Sequence, residues 1–166
     1  MRSNKKILHY VAPSDLSLGR ANSVHVMKMC NAINNKQSIK LFALSSRDMK
    51  NLHEFYNSSS NFQIKTFNFL FKRFHGFYVS IAHLLHCFYK REIPDFIITR
   101  SPYTAIFWSH HKKLNILYEA HNNLTNLQAR FFKIFCKRNK VKLIVISESL
   151  GKSFRNFIEQ KIFNEI

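Results

Sequence analysis

The chain has 166 residues, enough for one domain with its own core, and 46% hydrophobic content with only 3 Gly and 3 Pro excludes a disordered or collagen-like polymer. Its 26 Lys and Arg against 9 Asp and Glu leave a formal charge of +17, which suits an anionic neighbour such as nucleic acid, acidic lipid or a phosphorylated ligand, or simply an AT-rich coding sequence. Cys30, Cys87 and Cys136 show no CxxC spacing and sit among apolar neighbours, so a disulfide framework is excluded and buried free thiols in a reducing compartment are expected.

In chain order, the apolar run after the basic start is too short for a signal peptide, and KILHYVA (5–11) reads as a strand. A turn with Gly19 follows, then a helix capped by Ser23 with Val26, Met27, Cys30 and Ile33 on one face. IKLFAL (39–44) is the second strand, the Asn- and Ser-rich stretch 51–61 a loop or frayed helix end, and FQIKTF (62–67) the third strand. A long amphipathic helix over 70–91 sets Leu70, Phe74, Phe77, Ile81, Leu84, Leu85 and Phe88 against Lys72, His83, His86 and Lys90. Its apolar part, 77–89, is too short to span a bilayer. DFIIT (95–99), LNILY (114–118) and KLIVIS (142–147) complete six strands. Between the last two, a helix over 124–138 sets Leu127, Phe131, Ile134 and Phe135 against a basic stripe of Arg130, Lys133 and Lys137. Strands alternating with helices predict an α/β, Rossmann-like, doubly wound parallel sheet forming one domain over 1–166.

The loop after the first strand places Gly19 before a helix amino terminus, where backbone N–H groups favour anions, and no GxGxxG or Walker lysine pattern accompanies it. The run GRANSVHVMKMCNAI, followed by IKLFAL, resembles the opening of family 4 retaining glycosyltransferases of the GT-B fold. ITRSP (98–102), YEAHN (118–122) and LIVISESLGKSF (143–154) continue the likeness in the family's order. The resemblance implies the amino-terminal, acceptor-side half of a GT-B fold, without the carboxy-terminal donor-binding half. It implies transfer of a sugar from a UDP- or GDP-linked donor to a lipid-linked or polysaccharide acceptor, with no further cofactor, by a chain inactive when alone. His121 is the expected contact to the transferred sugar, and Gly19, Arg20, Asn22 and His25 fall in the cleft.

Residue chemistry points to the same place, because ligands sit beyond the carboxyl ends of parallel strands, and Arg100, Glu119, His121 and Asn122 lie there. The loops carrying Gly19, Arg20, Asn22 and His121 are therefore expected to converge on one sheet edge. Glu119 is either a structural hydrogen-bond acceptor or a base. Histidines 75, 83 and 86, with 110 and 111, form no complete ligand set, so no metal is expected. The rival reading is a non-enzymatic Rossmann-like domain binding an anionic membrane surface through Arg130, Lys133 and Lys137. No nucleic-acid motif is present. A cytoplasmic protein, peripheral on the inner face of the plasma membrane, satisfies both readings.

Overall fold

The computed structural model describes residues 6–48, 51–59, 61–69, 74–111, 113–136 and 141–157. All six expected strands form: β1 (Leu8–Asp15), β2 (Ile39–Leu44), β3 (Gln63–Phe67), β4 (Phe96–Thr99), β5 (Asn115–Ala120) and β6 (Val141–Val145). They make one sheet in the order β3-β2-β1-β4-β5-β6, and every pairing is parallel. Buried on both faces, the central strands are nearly continuous apolar runs, as in Leu41, Phe42, Ala43 and Leu44. β1 runs four residues beyond its expected end, with a register irregularity between Val11 and Asp15.

The connections are α1 (Ala21–Asn34), α2 (Leu52–Phe55), α3 (His75–Lys90), α4 (Pro102–Trp108), α5 (Asn126–Cys136) and, after β6, α6 (Glu148–Phe157). α1 and α2 pack on one face of the sheet, where Val26, Met27, Cys30 and Leu52 meet Leu8, Tyr10, Leu41 and Ala43. α3 to α6 cover the other face through Val79, Ala105, Phe132 and Phe154 against Phe42, Ile97, Ile116 and Leu143. Helices on both sides of an all-parallel sheet are the doubly wound, Rossmann-like α/β arrangement.

Three local expectations are corrected. Ser23 does not cap α1: Arg20 holds the N-cap position without a side-chain bond, and the Ser23 hydroxyl donates to the Asp15 carbonyl at 2.8 Å. In α3 the expected faces hold only in part: Leu84 packs on the core and Lys90 is exposed, but Val79, Ser80, His83 and Cys87 are buried while Phe77, Leu85 and Phe88 face outward, Phe88 being 67% exposed. Leu70 and Lys72 lie outside the described residues.

α5 turns likewise, burying Ala129 and Phe132 and leaving Leu127 (64% exposed), Phe131 and Ile134 outward beside Arg130 and Lys133. Lys137 lies outside the described residues, as do the side chains of Phe135 and Cys136.

The buried polar side of α3 has partners. Trp108 Nε1–H donates to His83 Nδ1 at 3.2 Å, His83 Nε2 lies 3.0 Å from His9 Nδ1, and His9 Nε2 lies 3.0 Å from Glu92. Indole nitrogen can only donate, so His83 carries its hydrogen on Nε2 and passes it to His9, whose own Nε2–H reaches Glu92. Ser80 meets the hydroxyls of Ser101 and Thr104, closing the α3–α4 contact. Gly76 permits that approach, because a Cβ there would lie 3.2 Å from Ser101 Oγ.

Candidate functional site

The sheet order reverses between β1 and β4, so the chain leaves these neighbouring strands toward opposite faces and opens a crevice beyond their carboxyl ends. A cavity of about 440 Å³ occupies that crevice. Five of the expected residues line it: Arg20, Asn22, Arg100, His121 and Asn122. A smaller hollow of about 260 Å³ adjoins it across His121 and Asn122, against Ser147 and Leu150.

One wall is the end of β1 and the start of α1. The Asp15 carboxylate accepts from Ser17 N–H (3.0 Å), Ser17 Oγ (2.6 Å) and Ser46 N–H (3.1 Å), which pins a 3-10 turn at Leu16–Leu18. Burial pushes the Asp15 carboxyl up, but those donors outweigh it and hold the group below its usual range. Gly19 then turns the chain at φ 60°, and a Cβ there would meet the Phe55 ring at 3.3 Å. The left-handed φ favours glycine, and a side chain would also have to displace the Phe55 ring slightly. The turn delivers α1 amino end first to the cavity, with no acidic residue in its first turn, so Ala21, Asn22 and Ser23 bring backbone N–H groups to the wall beside exposed Arg20.

The opposite wall rests on Glu119, in the last turn of β5. Its buried carboxylate accepts from Tyr10 Oη (2.7 Å), Arg100 Nε (3.1 Å), Arg100 Nη2 (2.9 Å) and His121 Nε2 (2.8 Å), and His25 Nε2 lies 3.6 Å away. Burial alone raises this carboxyl, yet the Arg100, Tyr10 and His121 bonds bring it down to about 2. Burial lowers the Arg100 pKa, but the paired carboxylate reverses the sign and holds it above its usual value. A carboxylate so held is no proton acceptor at neutral pH, so Glu119 is the structural acceptor of the two alternatives. The Glu119 contact commits His121 Nε2–H, so the tautomer that fits it carries the lone pair on Nδ1.

The expected residues thus assemble at one edge. Gly19 shapes the wall, His25 stands with its ring centroid 6.2 Å from that of His121, and Glu119 lies beneath. Arg100 reaches the cavity, but its guanidinium is spent on Glu119. The sequence reading missed Ser14, Asp15 and His75 as lining residues. His75 arrives as the first residue of α3, and its signal is positional: a helix that follows β3 and runs back along the sheet begins at this edge.

Metal-ligand spacing occurs among the described residues once, at His9, His83 and Cys87, whose donor atoms lie within 4.8 Å of one another. Hydrogen-bond polarity opposes an ion there. Trp108 occupies the His83 Nδ1 lone pair, so His83 Nε2 carries a hydrogen where a metal would need a lone pair. No described helix is long and apolar enough to cross a membrane.

No protein-family model matches the sequence, and no curated protein matches it. Among solved structures the chain is similar to a glycosyltransferase from Rickettsia africae ESF-5, with a TM-score of 0.60 and 13% sequence identity. The match covers 96% of this chain and 42% of that one. The chain therefore spans less than half the length of a glycosyltransferase whose fold it shares.

Proposed function

We propose that the chain is the acceptor-side half of a GT-B glycosyltransferase of the family 4 type, moving a sugar from a UDP- or GDP-linked donor to a lipid-linked or polysaccharide acceptor with retention. The observation that carries this reading is the cavity at the sheet reversal, where the open amino end of α1 and Arg20 face His121 on its Glu119 anchor. Backbone N–H groups and Arg20 suit donor phosphate oxygens, and preorganised donors of this kind stabilise charge that develops as the glycosidic bond lengthens. Glu119 keeps His121 in one tautomer, so Nδ1 can accept from a sugar hydroxyl. A second domain, closing over the cavity, supplies most of the donor contacts.

The test is a titration of the labelled chain with UDP- and GDP-sugars followed by amide and histidine side-chain NMR. Shifts at Ala21, Asn22, Ser23 and His121 that vanish in Arg20→Glu are expected. Millimolar donor that leaves all four signals unmoved overturns the assignment.

A membrane-bound setting is the second part of the reading, and the outward face of α5 favours it. Leu127, Phe131 and Ile134 stand exposed beside Arg130 and Lys133, the pattern of a helix lying on anionic lipid. We place the protein on the inner face of the plasma membrane, with a non-enzymatic lipid-binding domain as the rival. Sedimentation with anionic vesicles should fall about tenfold or more in Arg130→Glu/Lys133→Glu, at about 1 kcal/mol per charge removed. Unchanged sedimentation refutes the membrane part alone.

A further inference from the structure

A second hollow, of about 380 Å³, lies at the opposite edge of the sheet from the cleft. Its walls are residues of β2 and β3 (Lys40, Gln63, Lys65) and the last turns of α3 (His86, Lys90), over a floor that includes Phe42. β3 is the edge strand and α3 packs over β1 and β2, so the hollow is a shelf of uncovered sheet.

Its charge is one-sided. The nearest carboxylate, Glu92, is consumed: Lys40 Nζ binds it at 2.7 and 2.6 Å, and His9 binds it at 3.0 Å. Lys65 and Lys90 are exposed, and neither has a carboxylate within salt-bridge distance among the described residues. The imidazole of His86 registers the result. Burial lowers its pKa first, and Lys65, Lys90 and Lys40 lower it further against the opposing pull of Glu92.

We infer that this shelf is a binding site for a phosphate-bearing ligand, gripped between Lys65 of β3 and Lys90 of α3. Lysine ammonium groups act as point charges and suit a dianionic phosphate, whereas a planar carboxylate is matched by the arginine fork that the shelf lacks. The volume exceeds a phosphate ion, leaving space above Phe42 for the group that the phosphate is attached to. His86 couples the site to pH. An anion between the two lysines offsets the part of the lowering that comes from their field, so binding favours His86 protonation and strengthens as pH falls. The groups facing His86 are His9 on β1, Lys40 on β2, Lys65 on β3, His83 and Lys90 on α3, and Glu92 beyond it.

Inorganic pyrophosphate is titrated into the labelled full chain while the His86 ring signals are followed, and in a second arm vesicles containing phosphatidic acid replace it. Saturable movement of His86 with pyrophosphate identifies a free phosphorylated ligand, and movement with phosphatidic acid vesicles alone identifies a lipid headgroup. Lys65→Glu and Lys90→Glu should each weaken the response about tenfold, while the remote Arg130→Glu/Lys133→Glu pair changes it less than about twofold. Both lysines are exposed, and circular dichroism verifies that the variants fold. Three results overturn the site: a motionless His86 in both arms, equal weakening by the remote pair, or a silent Lys90→Glu. The last would leave Lys65 as an edge-strand lysine that deters strand pairing. Signals at Ala21 to Ser23 report the cleft separately, so failure at one site is distinguishable from failure at the other.

Discussion

Glu119→Gln tests the core of the candidate site with one change of charge and almost none of shape. The Glu119 carboxyl sits at about 2 against an ordinary 4.5. At 1.4 kcal/mol per unit, its donors favour the ionised folded state by about 3 kcal/mol. The side chain is only 11% exposed and Arg100 only 5%, so solvent screening removes little of this. Glutamine can still accept from Tyr10, but its amide nitrogen turns hydrogens toward Arg100 or His121 and leaves a buried guanidinium uncompensated. Removing one partner of a buried pair costs about 3 to 5 kcal/mol, and the lower end is expected here. Urea unfolding at neutral pH, followed by Trp108 fluorescence and circular dichroism, measures the loss.

The pH dependence supplies a second reading of the same variant. Glu119 has a folded-state pKa below its unfolded value, so its stabilisation is complete above 4.5 and is lost as pH falls toward about 2. Glu119→Gln should remove that acid limb. A variant within about 0.5 kcal/mol of the parent at neutral pH, or one keeping the full acid limb, refutes the account of Glu119 as the anchor of Arg100 and His121.

Burial lowers His9 from 6.5 to about 4, and holds His83 well below its usual value, so the unfolded chain takes up protons first. The His9 contribution is complete above 6.5 and declines as pH falls toward about 4, a limb that begins above that of Glu119 and is measurable by denaturation at stepped pH. Phe132→Ala should cost about 3 to 5 kcal/mol and Phe131→Ala less than about 1 kcal/mol, since only Phe132 is buried; equal losses would mean that α5 is rotated from its described phase. The purified 166-residue chain should transfer no sugar from UDP- or GDP-linked donors in a radiolabel assay, because the proposal assigns most donor contacts to a second domain. Robust turnover would overturn that division of labour.

The sheet was legible because each strand is a short, dense apolar run with turn residues or a helical period on either side. Strand order was not, since nothing in Leu8–Asp15 or Phe96–Thr99 states that these strands are neighbours. The cleft was legible from topology: once the strands are parallel, residues following β1, β4 and β5 share an edge, and Arg20, Arg100 and His121 do. What those residues do to one another was hidden. Tyr10 of β1, Arg100 just beyond β4 and Glu119 of β5 converge, and only the folded chain brings Arg100, Tyr10 and His121 onto the Glu119 carboxylate. The His9–His83 contact was equally invisible, joining residues 74 positions apart.

The faces of α3 and α5 were misread for a physical reason. Periodicity assigns the apolar stripe of a helix to the core, and in α3 that places Phe77, Leu85 and Phe88 inside. His9 overrules it: a residue of the central strand, wholly buried on the α3 side, must find hydrogen-bond partners or leave polar nitrogens unsatisfied. His83 meets that need only if α3 turns its histidine and serine side inward, where Trp108 and the Ser101–Thr104 hydroxyls also require partners. The turn sends the aromatic stripe outward. α3 and α5 lie on the same side of the sheet with α4 between them, so the exposed side chains of Phe77, Phe88, Leu127 and Ile134 belong to one helical layer. The polar relay thus accounts for the outward aromatic side chains of α3, and the proposed membrane contact of α5 lies in the same helical layer.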